Sequence, residues 1–187
     1  MKRLVLFLAM AAASPLHAQI EQDVRGAVDH FGPGFTALSE ARVDFRLLRE
    51  ANVVLFWVTP QGDLNLFFPL RSKDKTLKRA GNNTISVSDI PSPIESPVIN
   101  GAPASGRGGQ FTPGQLLTAA QTIDSTHISG YWVLLTIDAP ITAQEIQNKL
   151  RPMSREGGGL AIIDRLASVL VPQGALWAQY VAAVAIQ

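Results

Sequence analysis

From residue 42 the chain alternates strictly: Val43, Phe45 and Leu47 interleave with Arg42, Asp44 and Arg46. That period of two predicts a strand over 42–48 with one packed face and one wet face. Over 52–59, NVVLFWVT, the alternation is lost and nearly every side chain is β-branched or aromatic. Such a run suits a central strand covered on both faces. Pro60-Gln61-Gly62-Asp63 follows as a turn, its proline preset for an early turn position and Gly62 free to take positive φ. A return strand is predicted over 64–68, closed by Pro69, which has no N–H to give a ladder. Residues 42–69 thus read as a local antiparallel meander whose first strand is the edge candidate.

Further strands are predicted over 84–87, 131–137 (YWVLLTI) and 176–186, the last alternating through Leu176, Ala178, Tyr180, Ala182, Val184 and Ile186. Ile20, Val24 and Val28, four apart, predict a short helix over 20–30 that Gly32-Pro33-Gly34 ends. Thr142 and Glu145 have the spacing of a capping box, followed by Ile146 and Leu150 on one helix face. Ile163, Leu166 and Leu170 form a second stripe over 160–171, between a triple glycine at 157–159 and the stop Pro172-Gln173-Gly174. Residues 90–114 hold five prolines and five glycines and predict a long inserted loop, with a short helix beginning near Pro113. Half-apolar strands need an opposing layer. The expected fold is therefore mainly β, an antiparallel β-sandwich-like (immunoglobulin-like) domain with a few short helices.

With 187 residues the chain suits one domain. It has no cysteine, which excludes disulfides, thiolate nucleophiles, Cys-ligated metal centres and a lipoprotein anchor. Residues 1–18, MKRLVLFLAMAAASPLHA, have the layout of a secretory signal peptide: Lys2 and Arg3, an apolar run, and Ala18 at the exit. The organisation expected is a signal peptide over 1–18 and a single β-rich domain over 19–187, in a periplasmic or secreted location. Removing Lys2 and Arg3 turns a formal +1 into 14 basic against 15 acidic groups. That balance does not point to nucleic acid. The apolar stretches 53–58, 131–137 and 175–186 are too short to span a bilayer, so no transmembrane anchor is expected once the signal is removed.

The charge is uneven along the chain. Residues 71–79, RSKDKTLKR, carry Arg71, Lys73, Lys75, Lys78 and Arg79 against Asp74 alone. They form a candidate contact surface for a phosphate, an anionic lipid or an acidic polysaccharide, or else a solvated loop with its ammonium groups in water. Asn82-Asn83-Thr84 matches the N-glycosylation acceptor, relevant only to a eukaryotic secretory pathway. Gly106-Arg107-Gly108-Gly109 lacks the Lys-Ser/Thr and the helix of a phosphate loop. Asp124, Ser125 and His127 could be written as a triad, but they share one polar loop and no Gly-x-Ser-x-Gly elbow is present. His30 and His127 do not make a zinc site. No cofactor is called for. Asp44, Asp138 and Glu145 are the acids that a two-carboxylate hydrolase would draw on. Trp57, Trp132 and Trp177, with Tyr131 and Tyr180, are expected in the core first and in a shallow binding groove second.

Three blocks, VVLFWVTPQGDLNLFFP at 53–69, RAGNNTISV at 79–87 and GYWVLLTIDAPI at 130–141, resemble the exported bacterial family called domain of unknown function 4384, over about residues 35–140. The resemblance implies an extracytoplasmic β-sandwich-like module, often joined to other exported or signalling domains. It brings no catalytic residues, and Leu64, Leu66, Phe68 and Pro69 would be structural signature positions. The function expected is a non-catalytic binding or assembly module of the cell envelope, its partner an envelope protein or polysaccharide. The alternative is a hydrolase of envelope polysaccharide or peptide working through Asp and Glu side chains.

Overall fold

The computed structural model describes residues 20, 22–38, 42–87, 92–93 and 128–185. In chain order the elements are β1 (Asp23–Gly26), α1 (Val28–Phe31), β2 (Gly34–Leu38), β3 (Arg42–Leu47), β4 (Ala51–Val58), β5 (Leu64–Phe68), β6 (Leu77–Lys78), β7 (Gly81–Ser86), β8 (Ser92–Pro93), β9 (Ile128–Ile137), α2 (Ala143–Leu150), α3 (Gly158–Leu170) and β10 (Trp177–Ala185). The main sheet runs β1-β10-β9-β4-β5-β8, with β6 paired to the start of β4, and a smaller sheet runs β2-β3-β7. All these pairings are antiparallel.

The result is three layers: two helices, the main sheet, and the small sheet. Along β4, Val54, Phe56 and Val58 enter the cluster under α2 and α3, while Val53, Leu55 and Trp57 enter the one shared with the small sheet. On β9, Val133, Leu135 and Ile137 face the helices; Trp132 and Leu134 face the other sheet. Alternation persists in both strands, but each face meets its own apolar layer. That is why their sequences read as unbroken hydrophobic runs. Strand β3 touches one core only, through Val43, Phe45 and Leu47, and keeps its wet face. The expected mainly β sandwich is there, with the helices laid over its outer face.

Most predicted elements appear within a few residues of their expected bounds. The turn at 60–63 closes through Thr59 N to Asp63 O (2.9 Å), with Gly62 at φ 102°. The box at α2 is complete: the Thr142 hydroxyl accepts from Glu145 N, and the Glu145 carboxylate accepts from Thr142 N. Two expectations are corrected. In place of the helix expected over 20–30 stand the strand β1 and the single helical turn α1, because Val24 pairs with Tyr180 along the edge of β10. The meander is also broken at its first step. Strand β3 pairs with β2 and β7 in the other sheet, and β9 takes the place beside β4. The place that β9 fills beside β4 lies between the two cores, and β3 has one dry face.

Two buried hydroxyls tie these layers to their connections. The Tyr180 hydroxyl donates to Gly32 O at 2.6 Å, and the ring packs so closely on Gly34 that a Cβ there would lie 2.2 Å from Cδ1. Thr76 Oγ1 lies 2.9 Å from Asn52 Oδ1 and 3.0 Å from Ile141 O, joining the chain before β6 to β4 and to the β9–α2 connection. The predicted helix near Pro113, the glycine cluster at 106–109, and Asp124, Ser125 and His127 lie outside the described residues.

Candidate functional site

The basic run leaves the main sheet where β5 ends at Phe68. Asp74, its single acid, turns inward: one carboxylate oxygen accepts from Leu70 N (2.9 Å) and Arg71 N (2.8 Å), while Asp74 N donates to Arg71 O (3.0 Å). This is the local turn that an aspartate side chain builds with nearby backbone N–H groups. The acid therefore shapes the loop, and the cations project from it. Arg71, Lys73, Lys75 and Arg79 are exposed, and none of the five basic side chains closes an ion pair among the described residues.

The return leg is held firmly. Val53 N donates to Thr76 O at 3.0 Å, Leu77 pairs with Asn52 and Lys78 with Ala51, while Thr76 is buried with its hydroxyl engaged as above. Exposure alternates along this extended leg: Lys75 out, Thr76 in, Leu77 out, Lys78 half in, Arg79 out. The expectation of lysines standing freely in water holds for Lys73 and Lys75 and is corrected for Lys78. Its ammonium sits 4.4 Å from the centroid of the Phe68 ring, the geometry of a cation–π contact. Burial pulls its pKa below the ordinary lysine value, and the negative charge of Asp74 opposes that pull. Arg79 ends the run with its carbonyl accepting from Asn83 Nδ2 at 2.9 Å.

Two neighbours of the cations escaped the reading of charge alone. Leu77 is 50% exposed, although it lies in a paired segment, and Phe68 provides the ring under Lys78. The visible signal for Leu77 was a single large apolar residue inside a charged run.

The acids considered for hydrolysis have local tasks. Asp44 accepts from the Thr84 hydroxyl (2.5 Å) and pairs with Arg42 (3.1 Å). Asp138 accepts from Leu176 N (2.9 Å), at the point where β10 begins. Glu145 caps α2, and the hydrogen bonds from the Thr142 side chain and backbone hold its carboxyl below the usual range. His30 faces Arg49, Nδ1 to guanidinium 3.2 Å, and stacks edge-on against Phe31. Trp57 and Trp132 pair across β4 and β9 with ring centroids 5.2 Å apart, and Phe67 meets Trp132 at 4.8 Å. These three rings are buried in the core between the sheets, where the sequence first placed the tryptophans. Trp177 is half-buried.

Compared with protein-family models, curated proteins and solved structures, the chain matches none.

Proposed function

We propose that this protein is a non-catalytic binding module of the bacterial cell envelope that meets an anionic partner through residues 71–79. The observation carrying this reading is the division of labour between charges. Asp74 is spent on the turn, whereas Arg71 and Lys73 project from that turn and Lys75 and Arg79 from a leg anchored to β4. A cluster of one sign on a rigid support raises the local concentration of an oppositely charged partner. The envelope location is drawn from the signal-like pattern of residues 1–18, and the blocks resembling the 4384 family accord with it. The hydrolase reading is the weaker one, because Asp44, Asp138 and Glu145 each hold a neighbouring backbone or hydroxyl group.

The test is retention of the protein on an immobilised acidic polysaccharide and on anionic vesicles. Salt is raised from about 0.1 M to about 1 M, where the Debye length falls from about 10 Å to about 3 Å. Wild type should be held at low salt and released at high salt. A variant with Arg71, Lys73, Lys75 and Arg79 all changed to Ala should pass through. Equal retention of the two proteins would discard the loop as the contact surface. Turnover of an envelope polymer that Glu145→Gln or Asp138→Asn abolishes would overturn the non-catalytic reading.

A further inference from the structure

The outward side of the return leg reads cation, apolar, cation: Lys75, Leu77, Arg79. Leu77 cannot fold back onto the core without breaking its pairing, because β6 is hydrogen-bonded to β4 and Thr76 is tied on both sides. A leucine half exposed to water on a rigid support, with positive charge on each side, has the chemistry of an interfacial anchor. An acidic polysaccharide would satisfy the charges but offers no apolar phase for Leu77. An anionic bilayer supplies both, lipid phosphates for the cations and the headgroup–acyl boundary for the leucine.

We propose that residues 71–79 dock the protein on an anionic lipid surface, with Leu77 entering the bilayer boundary between Lys75 and Arg79. Arg71 and Lys73, from the turn ahead of them, meet lipid phosphates farther along the surface. The proposal rests on the binding-module reading and narrows its partner to a membrane. The leg is short, so the docking is peripheral and reversible. One half-exposed leucine adds about fivefold to the affinity, and each cation near a negatively charged leaflet adds about fivefold at low salt.

The absence of cysteine from the chain provides a site-specific assay. Leu77→Cys, labelled in the full chain with a nitrobenzoxadiazole fluorophore, should brighten and shift to the blue on vesicles containing phosphatidylglycerol. It should stay unchanged on vesicles of phosphatidylcholine alone. The same label at Leu160→Cys, an exposed position on α3, should not respond to either. In co-sedimentation with the anionic vesicles, Leu77→Asn and Lys75→Ala should each lower affinity about fivefold. Leu77→Asn should leave retention on the acidic polysaccharide as it was. A label at 77 that is silent on anionic vesicles, in a protein still held by the polysaccharide, overturns the lipid proposal and spares the binding-module reading. A protein held by neither removes both.

Discussion

Changing Tyr180 to Phe removes one oxygen from the middle of the fold and little else. The side chain is fully buried, and its hydroxyl donates to the buried Gly32 carbonyl at 2.6 Å, closing the connection between α1 and β2 onto β10. Phenylalanine fills the same space but leaves that carbonyl without its donor. A buried acceptor orphaned in this way costs about 1–3 kcal/mol. For a domain of this size that corresponds to a fall in Tm of about 2–4 °C per kcal/mol. A second consequence follows from ionisation. Burial pushes the Tyr180 pKa up to about 12, from an ordinary value of about 10. A raised folded pKa stabilises fully below the unfolded value and is lost as pH rises through the folded one, so the window lies at about pH 10–12. By about pH 11 wild type should have lost about 1.4 kcal/mol on this account, and the Phe variant nothing. Tyr131, also raised by burial, is common to both proteins and cancels from the difference. Urea unfolding at pH 7 and pH 11, at matched ionic strength, measures it. Wild type should be the more stable at pH 7, and the gap should narrow by about 1.4 kcal/mol by pH 11. A gap of the same size at both values would refute the argument for a buried neutral phenol. No gap at pH 7 would refute the hydrogen bond.

Two further predictions concern single elements. Thr142→Ala should cost about 1 kcal/mol by opening the capping box of α2. Because the Glu145 pKa is lowered in the folded protein, the contribution of its carboxylate is present above the ordinary carboxylate range and lost as the medium is acidified below it. The Thr142→Ala deficit should therefore shrink in acid denaturation profiles, and a deficit indifferent to pH would argue against the charged cap. In the basic loop, Lys73→Ala and Lys75→Ala should leave Tm within the small range usual for surface changes. Lys78→Ala should lower stability by about 0.5–1 kcal/mol through loss of the contact with Phe68. Three equal melting curves would show that Lys78 stands in water like the other two.

Residues 53–58 and 131–137 announced strands because a short unbroken apolar run rich in β-branched and aromatic residues suits a position with no wet side. Thr142 and Glu145 announced a cap because its hydrogen bonds span three residues. The same locality made the turn at 60–63 readable, and the charge count made the basic run conspicuous. None of these features depends on a distant part of the chain. The neighbours of β3 were a different matter. Its pattern states that one face is dry but not which layer dries it; the chain crosses to the second sheet, and β9, from far along the chain, fills the place between the two cores beside β4. Strand β1 is likewise made by the free edge of β10, which overrides the helical spacing of Ile20, Val24 and Val28. At the candidate site, sequence supplied five cations, and tertiary structure sorted them. Pairing of β6 with β4 and the burial of Thr76 turned Leu77 outward and laid Lys78 over Phe68. Composition is written locally. Which side of a short extended segment meets water is set by the strand it pairs with, and that partner lies far away in the chain.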